Sequence, residues 1–563
     1  MAKNKPGIDE RKAHAEFESA ANHWLEESCE LFPEYASKLG FRKYDHLLGA
    51  NTPAVHARHI ALIEQTLVRI EATPEALFTG DAWLDRRGML AHLRMELLFE
   101  RDLRRWRTNP QAHTGAAIDS IFELLVRAGE NPAQILPAVE SRLTRLPDFL
   151  RAGASCVERP DPLWVSLTEQ SCKGAVEFLE GLETELAGFS KNPRRLSSLL
   201  KTAARAFTNF AAAISRKKTA PAGSFAIGRE RFEFLIRERL GLDLSLSEAR
   251  AVGEYQIARH EFLLREAAKR HGRLTAREQI DQAAAAWNPD KPLIEVYREA
   301  TSRLHADLRK AGLVTLPQGD ALKVLPVPPF LKHQFPTAAY SAPEPFSKDR
   351  TGIFWVNDLS LDQKTPARRA AEIRQHHGLE LTCVHEGYPG HHLQFVVQYN
   401  HPSRWRRLFA HAIFYEGWTM WCEKMAVEHH LVESPCAELT QLHDALWRAH
   451  RIVIDCGLQQ GNLTPSGAAS MLRKGVGFTA ARAKADVNWY TSSPAVPMSY
   501  LLGRLEVEKL HARFVVGRGW SLKKFNDWML SHGALPYSWI VRAGGGGAFS
   551  LTPLSGRIKE EPS

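Results

Sequence analysis

The sequence predicts a mostly α fold, multi-helical, with a small β-sheet. Three observations carry that expectation. Apolar residues recur at three- and four-residue steps over long windows. Alternating strand patterns are scarce. The 563 residues are 44% hydrophobic and 24% charged, ample for a large core and ordinary for a folded chain.

Taken in chain order, the first clear helix is predicted over residues 54–71, "AVHARHIALIEQTLVRIE". Residues 132–146, 168–186 and 196–214 show the same period. The basic run "RDLRRWR" at 101–107 reads as a solvated helix face rather than a phosphate patch. A joint is expected at 215–224, "SRKKTAPAGS", which is polar and carries Pro and Gly after a long helical stretch. It divides the chain into an N-terminal helical region, 1–216, and a catalytic helical region, 225–563. Residues 313–347 hold many prolines and read as a long surface loop that shapes a cleft. The best strand is "GIFWVN", 352–357, rich in aromatic and β-branched residues. It is expected along the rim of a groove, where an extended peptide could add to it. A helix is predicted to start at Thr365-Pro366, a cap followed by proline at the first helical position. The four glycines 544–547 have no helix start after them and read as a flexible turn.

Composition narrows the function classes. The net charge is +9, but Lys and Arg are mostly interleaved with Glu and Asp. No nucleic-acid reading motif is found, so no nucleic-acid partner is expected. The seven cysteines include no Cys-x-x-Cys pair, which argues against a disulfide framework and a cysteine-rich zinc site. The polar N-terminus lacks a signal-peptide h-region, and no apolar run reaches the roughly 18 residues of a membrane span. A soluble cytoplasmic protein with no membrane partner is expected.

The chemistry concentrates at "CVHEGYPGHHLQF", 383–395. His385-Glu386 opens like a zinc-protease box, but the position four after His385 is Pro389. On a straight helix His385 and His391 would be about 9 Å apart in rise and turned by about 240°, so they could not share an ion. Pro389 forbids a straight helix and Gly390 accepts almost any conformation. Treated as a two-residue bulge, Pro389-Gly390 restores the ligand spacing, with His391 second and His392 turned to substrate or to a ligand. A tighter loop bringing His392 to the metal is the alternative.

Downstream, 403–427 reads as one helix with an apolar stripe of Phe409, Ala412, Ile413, Met420 and Val427. Glu416 and Glu423 share that stripe. A buried carboxylate is costly unless it is paired or binds a metal. Glu416 suits a third ligand; its competing role is an ion pair with an arginine such as Arg448. For Glu423 an ion pair comes first, and support of a ligand histidine next.

These residues carry a resemblance. His385–Gln394 reads His-Glu-x-x-Pro-Gly-His-His-Leu-Gln, and Glu416-Gly417-Trp418 follows. Both motifs resemble those of a widespread bacterial family known as domain of unknown function eight-eight-five, similar to zinc-dependent metallopeptidases of the glutamate-zincin kind. Looser segments, "FPEYASKLGFRKYDHLL" and "SYLLGRLEVEKL" among them, extend the likeness over nearly the whole chain. The resemblance implies a helical zincin-like architecture around an active-site groove. The chain departs from the pattern in two places. Gln459 stands where the family usually has a histidine, and Ala495-Val496 stand where it often has Gly-Gln.

The resulting expectation is a zinc-dependent hydrolase of peptide or small amide bonds, with one ion per chain on His385, His391 and Glu416. Glu386 is the expected general base. Tyr490 and Tyr500 are candidates for the oxyanion donor, and Arg504 for a substrate carboxylate. A non-hydrolytic metal-containing binder and a basic nucleic-acid-binding protein are the alternatives.

Overall fold

The computed structural model describes residues 8–128, 131–327, 337–434 and 436–544. The chain is mostly α-helical with a small three-stranded sheet. It divides into two compact units, each discontinuous in sequence. The glycines 545–547 of the expected turn lie outside the described residues.

The first unit comprises Met1–Phe225, Ala284–Phe409 and Leu522–Gly533. Its helical core follows from apolar spacing. Leu196, Leu200, Ala203, Phe207, Phe210 and Ile214 fall on one face of the helix Pro193–Ser215 and are all buried. Asn192 caps that helix by accepting from the Arg195 N–H, with proline at the first helical position. Phe178 and Leu182 of the helix Pro162–Leu186, and Leu143 of Leu136–Cys156, complete the cluster. Each leucine, isoleucine and phenylalanine among them contributes about 1.5–3 kcal/mol by leaving water. The expected helix at 132–146 begins at Leu136 and continues past Pro147 to Cys156.

The sheet belongs to this unit. Strand β1 is Ala321–Pro326, β2 is Ala338–Ser341 and β3 is Thr351–Val356, in the order β1-β3-β2. β1 runs parallel to β3 and β2 antiparallel. Two expectations are corrected. The proline-rich stretch 313–347, read as a loop, contains both outer strands. And "GIFWVN" is the central strand, not an exposed edge. Phe354, Trp355 and Val356 are buried in succession, and Trp355 enters the helical core. A strand covered this way is hydrogen-bonded on both sides, so no peptide can add to it.

The run 101–107 is also not a solvated helix face. The helix Gly80–Leu97 ends in a wide turn, and Arg104 takes a left-handed conformation at φ 45°. Arg105 then stacks 4.5 Å over Trp164, and burial lowers its pKa to about 10.

The second unit comprises Ala226–Ala283, Ala410–Ser521 and Ala534–Ser563. The helix Leu246–His271 packs along Ala437–Gln460, and Ala412–Glu428 along Ser499–His511. The predicted single helix 403–427 is instead two, Arg404–Leu408 and Ala412–Glu428. The interruption has a local cause. Ala410 bridges Ala534, and the His411 N–H donates to the Ala534 carbonyl at 2.9 Å. Those backbone bonds replace the helical ones at 409–411.

Candidate metal centre

The box is built by two helices rather than by one helix with a bulge. The helix Leu379–Glu386 ends where the N–H groups of Gly387 and Tyr388 both turn back to the Cys383 carbonyl. Pro389 has no N–H to continue the ladder. A second helix, His391–Tyr399, starts at once, with the Gln394 N–H donating to the Gly390 carbonyl. His385 and Glu386 therefore sit in the last turn of one helix, and His391 opens the next. Gly390 is what allows the approach. A Cβ there would lie 2.0 Å from the His385 carbonyl oxygen and 2.3 Å from that of Val384. No side chain fits. The imidazoles of His385 and His391 meet edge to face at 4.9 Å between centroids.

His392 turns the other way and is fully buried. Its Nδ1 lies 3.1 Å from the Tyr340 hydroxyl, and burial lowers its pKa to about 4. Tyr340 also stacks nearly parallel to His391 at 6.4 Å. Beneath them the Tyr388 hydroxyl donates to Asp320 at 2.7 Å. Sequence reading missed Tyr340 and Asp320, because both fall in the stretch read as an irregular loop. The short alternation "AAYS" was the available signal.

The Glu-Gly-Trp motif has an equally direct cause. A Cβ at Gly417 would lie 2.6 Å from the Gly503 Cα, and one at Gly503 would lie 2.2 Å from the Ile413 carbonyl oxygen. The two backbones touch at this glycine pair. The contact sets Tyr500, almost one turn before Gly503, against Glu416, just before Gly417. The two side chains are hydrogen-bonded, and burial together with the Glu416 charge raises the Tyr500 pKa well above its ordinary value. Glu416, Trp418 and Glu423 are all buried.

The other predicted residues are placed as follows. Tyr490 is buried and donates to Asp486 at 2.7 Å while accepting from Arg451 Nε at 2.9 Å. Its proton is committed inside its own unit. Arg448 pairs with Asp444 at 3.4 Å and lies 5.9 Å over the Tyr500 ring. Arg504 pairs with Glu508 at 3.0 Å, a structural role. Gln459 is buried and donates to the Tyr490 carbonyl at 3.3 Å. Ala495, where the family often has glycine, takes φ 64°. Nearby Asp455 is fully buried, and burial pushes its pKa well up.

Among the described residues, one group of three side chains could hold a metal ion: His385, His391 and Glu416. One donor atom from each lies within 4.8 Å of the others. His392 and Glu423 are not part of the group.

The fold and these donors define a mostly helical protein with a candidate three-ligand metal centre. The chain belongs to the family described as "Bacterial protein of unknown function (DUF885)", whose model matches residues 33–543. No curated protein matches. Two solved structures share the fold. One, named a putative lipoprotein of unknown function from Shewanella oneidensis, has a TM-score of 0.74 at 19% identity and covers 93% of this chain and 99% of its own. The other, a putative lipoprotein from Colwellia psychrerythraea, has a TM-score of 0.68 at 17% identity and covers 95% and 98%.

Proposed function

We propose that the protein is a zinc-dependent hydrolase of peptide or small amide bonds. The observation that carries the reading is the convergence of His385, His391 and Glu416 donors. Two imidazole nitrogens and one carboxylate oxygen are the set zinc takes in sites that leave a position open. Zinc held there would lower the pKa of water towards about 7 and polarise an amide carbonyl.

The chain's own residues supply the rest. Glu386 adjoins the first ligand in the same helical turn. Its carboxylate accepts the proton of the attacking water and returns it to the leaving nitrogen as the C–N bond breaks. Of the two tyrosines Tyr500 is the one set against a ligand, and it would donate to the developing oxyanion by exchanging its bond to Glu416 for one to that oxygen. Tyr340 holds His392 at 3.1 Å and also stacks on His391, which steadies the start of the second helix of the box.

The test is Glu386→Gln. The amide is close to isosteric, so fold and metal content should persist. It cannot accept a proton, so hydrolysis should fall about 10²–10⁴-fold. The assay is a pooled library of peptides and aminoacyl amides read by mass spectrometry, with and without a chelator. Chelator-sensitive cleavage unchanged in the variant would refute the assignment. No cleavage by the wild type would favour the non-hydrolytic binder, which Gln459 supports because an amide cannot carry a proton.

Location is proposed as cytoplasmic. The solved relatives are named as lipoproteins, so attachment through a lipid is the competing reading, and fractionation of the producing cells separates them. Among the described residues no helix is long and apolar enough to cross a membrane.

A further inference from the structure

The second unit has a cavity of about 900 Å³ lined by Arg265, Lys269, Arg273, Arg277, Arg473 and Lys474. Only one carboxylate, Glu261, joins them in its lining. All six cationic side chains are exposed. Lys269 pairs with Glu266 at 2.7 Å and Arg277 with Asp281 at 3.6 Å. Among the described residues the other four have no ion pair. We propose that this cavity binds a phosphate-rich anion, one with two or more phosphate groups.

The competing explanation is that these residues complement helix dipoles. It covers Lys269, in the last turn of Leu246–His271, and Arg473 and Lys474, in the last turn of Pro465–Gly475. It does not cover Arg265, which lies well before the end of its helix. It does not cover Arg273, which lies in the connection after it. Arg277 opposes it, because it occupies the first turn of Ala276–Ala286, where a cation is disfavoured. The four cations without an ion pair line one concavity, where like charges repel unless an anion joins them.

The walls are also fixed in place. The Thr275 side chain accepts from the Glu278 N–H at 3.3 Å, and Glu278 bonds back to Thr275, which anchors the turn bearing Arg277. The Arg277 guanidinium lies across Gly477, where a Cβ would fall 1.3 Å from its Nη1. His443 Nε2 lies 2.9 Å from the Val476 carbonyl oxygen and ties down the segment after Arg473 and Lys474. Such preorganisation reduces the ordering cost of binding. The size is within the usual 300–1,000 Å³ range of small-molecule sites. Leu264, Leu446 and Val476 give a buried apolar floor, and Leu274 an exposed rim, for the body of the ligand. The ligand is thus a soluble polyphosphate ester or the headgroup of a phospholipid with two or more phosphates. The stretch "REAAKRHGRLTAR", 265–277, carried the signal in sequence, but the contribution of 473–474 is visible only in the fold.

The inference is independent of the metal centre, and its test uses the full chain. Inorganic tripolyphosphate is titrated by calorimetry at low ionic strength. In parallel, phosphatidylcholine vesicles with and without cardiolipin, whose headgroup carries two phosphates, are tested by sedimentation. Wild type should bind at least one probe. The double variant Arg273→Gln/Arg473→Gln should weaken that binding at least about tenfold, roughly 1.4 kcal/mol. The control Lys173→Gln/Arg194→Gln, from the first unit, should bind as wild type does. Arg265→Gln, on another wall, serves if the double variant melts early. Tripolyphosphate binding points to a soluble ester; binding only to anionic vesicles points to a headgroup. Equal binding by pocket and control variants, or no binding of either probe by wild type, would overturn the proposal.

Discussion

Gly390 is the residue on which the box turns. The space for a side chain there is taken by two carbonyl oxygens, at 2.0 and 2.3 Å from an added Cβ. Gly390→Ala must therefore move His391 away from His385. We expect it to lower the melting temperature, at a cost of about 2–4 kcal/mol, and to abolish bound metal. Thermal unfolding and metal analysis read both effects; an unchanged melting curve would show that the backbone relaxes freely. Much of this scale was legible in sequence. The geometry of a straight helix excludes the His385–His391 pair, and Pro389-Gly390 announces the departure. The form of the departure was not legible. A bulge within one helix and a break between two satisfy the same spacing. The choice is made by where the 387 and 388 N–H groups find acceptors. Tyr340, which positions His392, was marked only by the short alternation of its strand, because its partners are distant in sequence.

At the scale of elements, the glycine pair Gly417–Gly503 does for Glu416 what Gly390 does for His391. It lets two helices approach to backbone contact and so sets Tyr500 on the carboxylate. Gly417→Ala should force these helices apart, with a loss above about 3 kcal/mol and a shift in the Tyr500 environment. Urea unfolding reads the loss, and helix propensity acts in the opposite direction, since Gly→Ala inside a helix gains about 1 kcal/mol. A variant as stable as wild type, or more stable, would refute the contact. Helix positions were readable from period because amphipathic faces dictate them. The interruption at 409–411 was not. Its cause is a backbone bridge to Ala534, more than a hundred residues on, and local propensity carries no trace of it. The central position of β3 escaped for the same reason, since both its partners are short strands in a proline-rich stretch.

For the whole molecule, buried histidines set a limit on acid stability. His113 is held between Asn51 and the Trp106 carbonyl, and burial lowers its pKa to about 4. Burial likewise lowers His260 to about 4, with the Arg504 charge adding to it. The native state keeps both neutral, while the unfolded chain protonates them near the ordinary value of 6.5. Unfolding therefore takes up protons between these limits. The contribution of each is fully present above pH 6.5 and declines towards pH 4, by about 3 kcal/mol per histidine. Denaturant titrations across that window should show stability falling with acid, and His113→Gln should flatten the slope. A slope unchanged in the variant would contradict the burial account. The division into units was not readable from composition, because each unit gathers segments from separate parts of the chain.

The proposal that His385, His391 and Glu416 together hold one metal ion can be checked by elemental analysis of the purified chain, with wild type beside Glu416→Ala. One zinc per wild-type chain is expected and a stoichiometry near zero in the variant, with the variant still folded by circular dichroism. Equal metal in both proteins, or a wild type that takes up no zinc when it is offered, would contradict it.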